Sequence, residues 1–280
     1  MSSKPETSIK AAARLVAEAN AIVIAAGAGM GVDSGLPDFR GSDGFWNSYP
    51  ALRGARLSFI DMANPELFKR NPALAWGFYG HRLQLYRSTM PHDGFQILKK
   101  LGGLKRDGLF VFTSNVDGQF QKAGFDGNRI AECHGSIHHL QCTAPCSDAI
   151  WAADDLQVNL DASTCSWAGP LPRCPRCGAL ARPNILMFGD GNWLEHRTQA
   201  QMVRMRTWLS AIHAPVVIEV GAGSSVPTVR NFSESLVSSF GARLIRINPD
   251  ESDVTPGRGV GMRQRALSSL ALLDAEIYRA

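Results

Sequence analysis

The chain lacks any apolar run of about 18 residues, the length that a membrane-spanning helix needs. Its first 18 residues are a polar lead and an amphipathic run, with no apolar core before a small-residue cleavage site. That argues against a secretory leader and points to the cytoplasm. There is no basic arm and no dense Lys/Arg block, so no direct nucleic-acid binding is expected. The scattered Lys99, Lys100, Lys105 and Arg106 read as a solvated face. Internal repeats and low-complexity tracts are also missing. Cysteine is scarce, at six residues. In a reducing compartment a short-spaced set of cysteines suits a metal better than disulfides.

What remains is an ordinary enzyme-like composition. The 280 residues are 45% hydrophobic and 19% charged, with a formal net charge of +4. This length suits one large domain, or a large domain with a smaller inserted one. Ile9 to Ala19 carries helical periodicity, and Asn20 closes it. Four short apolar runs then read as buried strands: Ala21 to Ala26, Leu109 to Thr113, Pro215 to Val220 and Arg243 to Ile247. Each ends in a small or polar loop. In an open parallel α/β sheet, ligands bind outside the carboxyl ends of the strands. The expectation is therefore α/β, with a Rossmann-like parallel sheet, helices on both faces, and all four loops at one edge.

Two segments differ in character. Residues 45–91 are rich in aromatics and helix formers, including Trp46, Phe59, Phe68, Trp76, Phe78, Tyr79 and Tyr86. Residues 137–190 hold four paired cysteines and several prolines. Both read as insertions, a helical one and a metal-binding module, that form a small domain. Residues 1–44, 92–136 and 191–280 would then form the nucleotide-binding domain.

Three constellations carry chemistry. The first is Gly27-Ala28-Gly29-Met30-Gly31, where bare backbone can approach a diphosphate near a helix start. Ser34 to Gly41 follows, with Asp38, Phe39 and Arg40, and Gly44-Phe45-Trp46 close behind. An aromatic ring next to a guanidinium suits a planar group and an anion. The second is Cys142 and Cys146, three residues between them, with Cys174 and Cys177, two between them. Paired cysteines about 30 residues apart fit a tetrahedral zinc site. Four thiolates leave no open position, so the zinc would be structural. Cys133 and Cys165 read as incidental. The third is Glu132-Cys133-His134-Gly135-Ser136. Histidine suits proton transfer near neutral pH, whereas His138 and His139 read as structural.

In this order the motifs resemble the sirtuins, the NAD-dependent protein-lysine deacylases. The resemblance runs from about Ala21 to Asp250. Gly27 to Gly41 is similar to the family's Gly-Ala-Gly…Ser-Gly-Ile-Pro-Asp-Phe-Arg-Gly string. Asn115-Val116-Asp117 resembles the Asn-Ile-Asp motif of the nicotinamide pocket, and His134-Gly135 the catalytic His-Gly. Cys142 falls where the first zinc cysteine falls. Arg182 to Asp190, with Ile185, Phe188 and Gly189, looks like the segment that pairs with substrate peptide as an added strand. Asn248 matches the residue that holds the adenine ribose.

The resemblance implies NAD as co-substrate, structural Zn²⁺ and acyl-lysine proteins as partners. It implies that nicotinamide leaves and that the acyl oxygen attacks the ribose carbon. His134 then acts as base on a ribose hydroxyl, and the acyl group ends on ADP-ribose. Phe39 would cover the nicotinamide site. Tyr79 and Arg82 lie three apart, on one helical face. They resemble the Tyr-x-x-Arg pair of the branch that removes succinyl and malonyl groups, where Arg binds the acyl carboxylate.

The chain departs from the family at three points. Ser114 stands where Gln is usual, and Asp190 where Glu is. The loop Gly221-Ala222-Gly223-Ser224-Ser225 replaces the usual Gly-Thr-Ser, leaving Ser224 and Ser225 as alternatives for one contact. The short Ser114 keeps open an ADP-ribosyltransferase or NAD hydrolase on the same scaffold. A non-catalytic NAD sensor is the reading from another class, disfavoured by His134 beside Asn115 and Asp117.

Overall fold

The structure, a computed structural model, describes residues 5–38, 57–161 and 163–279. Phe39, Arg40, Gly41 and Gly44-Phe45-Trp46 lie outside the described residues. In chain order the first elements are α1 (Pro5–Glu18), β1 (Ala21–Ala26), α2 (Phe59–Met62), α3 (Glu66–Arg70), α4 (Pro72–Ser88), α5 (Asp93–Gly103), β2 (Leu109–Thr113), α6 (Gln119–Lys122) and β3 (Ile130–Glu132). The strands β4 (Gly135–Cys142), β5 (Ile150–Ala152), β6 (Leu160–Asp161), β7 (Ser166–Trp167) and β8 (Ala181–Ile185) follow. The chain closes with α7 (His196–Ser210), β9 (Pro215–Val220), α8 (Thr228–Ser239), β10 (Arg243–Ile247), β11 (Gly259–Met262) and α9 (Ala266–Ile277).

The four expected strands form the middle of a six-stranded sheet, ordered β11-β10-β9-β1-β2-β3 and parallel throughout. All six residues of β1 are buried, because both faces are covered. Ile22, Ile24 and Ala26 meet α1, α5 and α9 on one face. Ala21, Val23 and Ala25 meet α7 and α8 on the other. The Rossmann-like α/β expectation holds. Helix α1 starts four residues before the expected Ile9 and ends at Glu18. Its polar first turn carries no apolar periodicity to read.

The topology places the site. From β1 the chain builds outward through β2 and β3, then returns to add β9, β10 and β11 on the other side. Strand order reverses between β1 and β9, which is where an open α/β sheet leaves a crevice.

A second core packs beside the sheet. The antiparallel β5-β4-β8 sheet and the β6-β7 pair surround α4. Asn71 caps α4 by accepting from the Leu74 amide, and Pro72 occupies its first turn. Its aromatic residues Trp76, Phe78, Tyr79 and Tyr86 are buried with Phe68, Ile137, Trp167, Ile185 and Met187. Among the described residues no helix is long and apolar enough to cross a membrane.

Candidate active site

Two glycine loops meet at the switch point. The Gly27 amide donates to the Val220 carbonyl at 2.9 Å, and the Gly29 amide to the Gly221 carbonyl at 3.0 Å. A Cβ on Gly221, whose φ is +65°, would lie 2.4 Å from the Gly29 carbonyl carbon. A Cβ on Gly27 would lie 2.8 Å from the Ala222 Cα. The loops therefore interlock only as glycines. Gly221→Ala combines left-handed strain with a backbone clash. We expect it to cost on the order of 3 kcal/mol, read as a lower denaturation midpoint in urea.

Each loop is pinned by an asparagine from a neighbouring strand end. Asn115 Nδ2 donates to the Gly27 carbonyl at 3.0 Å. Asn248 Nδ2 donates to the Ala222 carbonyl at 2.8 Å, and its Oδ1 accepts from the Asp250 and Glu251 amides. Asn248 is buried and does not line the cavity. It shapes the loop that does.

The crevice opens into a cavity of about 660 Å³, within the roughly 300–1,000 Å³ of small-molecule sites. Gly27, Ala28, Asp38, Ser114, Asn115, Asp117, His134 and Ser225 all line it. Ser224 instead donates to Glu251 Oε1 at 3.0 Å, so Ser225 is the serine of that loop facing the cavity. Burial holds His134 below its ordinary pKa, which keeps the ring neutral at physiological pH. Its Nε2 lies 3.3 Å from Thr228 Oγ1. Burial pushes the Asp117 carboxyl up to about 6.

His134 sits at a corner between the two sheets. β3 ends at Glu132 and β4 begins at Gly135. Gly135 has φ +78°, and a Cβ there would lie 2.1 Å from the Asn184 carbonyl oxygen. The His134 carbonyl accepts from the Leu186 amide at 3.0 Å.

Tyr79 and Arg82 lie where α4 faces the cavity, and both line it. The Arg82 guanidinium is 5.2–5.9 Å from the ring centroids of Phe59, Phe78, Tyr79 and Tyr86. Its Nε and Nη2 both donate to Tyr86 Oη, at 3.1 and 3.0 Å. The Tyr79 hydroxyl is buried without a hydrogen-bond partner, and burial raises its pKa to about 12. It is a donor that stays protonated and has no acceptor within the protein.

Ile185, Leu186, Met187 and Phe188 form the opposite wall, while Gly189 lies outside it, exposed and with φ +68°. The Leu186, Met187 and Phe188 amides are already used, by the His134 carbonyl, Asp190 and the Ala63 carbonyl. An incoming chain would find carbonyls here, together with the Gly189 amide. Asp190, buried against Arg182, fixes the turn.

The Sγ atoms of Cys142, Cys146, Cys174 and Cys177 all lie within 4.8 Å of one another. Two of the separations are 3.8 Å (Cys142–Cys177) and 3.7 Å (Cys146–Cys174). A tetrahedral centre with bonds of about 2.3 Å has edges of about 3.8 Å, so the donor set fits Zn²⁺. Four thiolates make that metal structural. Replacing Cys174 with Ser should reduce bound zinc from about one per chain and lower Tm by on the order of 10 °C, checked by elemental analysis and calorimetry. Cys133 stands apart from this cluster, half-buried, and burial of its thiol pushes the pKa up to about 12. That makes it a poor nucleophile.

Several lining residues were not legible beforehand. Tyr86 was legible in principle, being four residues after Arg82 on the same helical face. Phe59 and Glu251 line the cavity only through tertiary packing, and Thr228, which does not line it, reaches His134 in the same way.

Residues 27–226 match the sequence pattern of the Sir2 family. An NAD-dependent protein deacylase of Pyrococcus furiosus is 31% identical over 269 residues, covering 95% of this chain and 96% of that protein. One of Thermococcus kodakarensis is 32% identical over 258 residues, covering 91% and 90%. Among solved structures, a Sir2 homologue mutant in complex with ADP-ribose superposes with a TM-score of 0.70 at 25% identity, covering 95% of each chain. A Sir2 homologue in complex with NAD superposes at 0.69 and 24% identity, covering 98% of this chain and 94% of that one.

Proposed function

This chain belongs to the Sir2 family, and we propose that it is an NAD-dependent protein-lysine deacylase that prefers acyl groups ending in a carboxylate. The observation that carries the reading is one cavity. It joins the glycine loop, Asn115, Asp117 and His134 to the Tyr79–Arg82 pair.

The glycine loops leave bare backbone against which the NAD diphosphate fits. Bound there, NAD supplies a ribose carbon made electrophilic as nicotinamide departs. Ser114, Asn115 and Asp117 face the nicotinamide end, and Asp38 borders it. Ser225 and the Gly221 loop hold the adenosine side, with Asn248 supporting that loop from behind. Neutral His134 takes a proton from a ribose hydroxyl on a ring nitrogen, and Thr228 orients the ring. The carbonyls of 186–188 and the Gly189 amide serve the substrate backbone. Residues 1–44, 92–136 and 191–280 would be the NAD-binding domain, with 45–91 and 137–190 the small one. A four-thiolate zinc site requires reduced cysteines, which suits the cytoplasm.

The acidic preference rests on the partnerless Tyr79 hydroxyl beside the Arg82 cation. A succinyl or malonyl carboxylate would accept from both. The test is to incubate the protein with NAD and acyl-lysine peptides and identify the products by mass. Acyl-ADP-ribose supports deacylation. Bare ADP-ribose or ADP-ribosylated protein would favour the hydrolase or transferase reading that Ser114 leaves open. If kcat/KM on acetyl-lysine equals or exceeds that on succinyl-lysine, the acidic preference is wrong.

A further inference from the structure

We propose that Glu132 is a positioning residue for His134, and that α7 acts on the reaction through it. This rests on the deacylase reading, in which His134 is the base.

β3 is a three-residue strand at the edge of the parallel sheet, and among the described residues it pairs with β2 alone. Its outer side would offer an unpaired amide and carbonyl. Side chains of α7 stand in for the missing strand. The Glu132 amide donates to Gln201 Oε1 at 3.0 Å, and the Glu132 carbonyl accepts from Thr198 Oγ1 at 3.0 Å. The Glu132 carboxylate is fixed by the same helix. Its Oε2 accepts from Arg197 Nη2 at 2.6 Å and from Gln201 Nε2 at 3.2 Å. Three residues within the first two turns of α7 thus hold the amide, the carbonyl and Oε2 of Glu132, whose side chain is 1% exposed and whose Oε1 is buried without a hydrogen-bond partner.

Two residues later comes His134. Between them the Cys133 amide is held by the Thr113 carbonyl at 2.9 Å. Beyond it the chain is held by β8 and the residue after it, through the Leu186 amide on the His134 carbonyl and the close approach of Gly135 to Asn184. The corner that aims His134 into the cavity is therefore set from two sides. The β8 side belongs to the small core, and the α7 side ends on Glu132. A misplacement of about 1 Å in a catalytic group can cost about 10²-fold in rate. A buried carboxylate fixed by a guanidinium and two side-chain bonds to its backbone is a stiff anchor against such slippage.

Glu132→Gln keeps the shape and removes the charge that binds Arg197. We expect kcat for deacylation to fall about 10- to 50-fold, with KM for NAD and for peptide within about threefold. Exchange of labelled nicotinamide into NAD should change less than about threefold, because it precedes the step His134 serves. In a His134→Ala background, Glu132→Gln should cost less than about twofold. Should Glu132→Gln fail to fold, Thr198→Val carries the test. It keeps the ion pair and removes one backbone anchor, and should lower kcat about three- to fivefold with the same loss of effect in the His134→Ala background. An unchanged kcat, an equal cost in that background, or a parallel loss of nicotinamide exchange would overturn the proposal. If His134→Ala alone left deacylation intact, the failure would lie with the deacylase reading, not with Glu132.

Discussion

Replacing His134 with alanine is expected to lower kcat/KM for deacylation by roughly 10²–10⁴-fold, while the Kd for NAD changes less than about threefold. The side chain lines the cavity beside Asn115 and Ser114, yet it holds neither glycine loop in place. Among the described residues its side-chain hydrogen-bond partner is Thr228. Removing it therefore removes a proton acceptor without dismantling the NAD crevice. Isothermal titration with NAD and steady-state kinetics separate the two effects. A loss of NAD affinity matching the loss of rate would sink the assignment.

The same assignment fixes a pH dependence. Only the neutral ring accepts a proton. Burial lowers the His134 pKa from its ordinary 6.5, so the neutral form persists below that pH. The midpoint of the acid limb that His134 sets should therefore lie below pH 6.5. Asp117, at about 6, titrates in the same cavity and adds to the acid limb. In an Asp117→Asn variant the remaining limb belongs to His134 and should still lie below 6.5. A limb centred above 6.5 in that variant would contradict the neutral, buried base.

The central strands were legible because burial on both faces demands continuous apolar runs. β1, β2, β9 and β10 have the bounds that their sequence implies. The outer strands were not legible. β3 has three residues, and two of the four in β11 are glycines, so neither reads as an apolar run. β8 is hidden for a different reason. Arg182 and Asn184 look like loop residues, yet both are buried. Arg182 is paired with Asp190, and Asn184 Nδ2 donates to Gln141 Oε1 at 2.9 Å. A polar strand is stable when its partners are supplied, and those partners are 8 and 43 residues away. The cysteine cluster was legible from spacing alone. Asn248 was legible as a candidate from its motif, whereas its hydrogen bond to the Ala222 carbonyl, in the loop that lines the cavity, comes only from the fold. For Ser224 and Ser225, only the fold decides which faces inward.

Arg82→Met is expected to lower kcat/KM on succinyl-lysine by about 10²–10³-fold and to leave acetyl-lysine within about threefold. The magnitude follows from losing one partner of a desolvated charge pair, about 2–5 kcal/mol, at about 1.4 kcal/mol per tenfold. Methionine is unbranched, apolar and suited to the space among Phe59, Phe78, Tyr79 and Tyr86, so the pocket wall should survive. A Tm within a few degrees of the parent would verify that. Tyr79→Phe tests the second contact. Its hydroxyl has no internal partner to strand, so only the bond to substrate is lost. That bond joins a neutral donor to a charged acceptor, worth about 1.5–3 kcal/mol, or about 10- to 150-fold on succinyl-lysine. Tyr86→Phe should fall between the two, because it frees the guanidinium from the oxygen that orients it without removing the charge. The order Arg82→Met, Tyr86→Phe, Tyr79→Phe, with acetyl-lysine flat across all three, is the signature of a carboxylate pocket. Parallel losses on both substrates would instead mean that these residues only pack the helix, and that the cavity reads the acyl chain by its length.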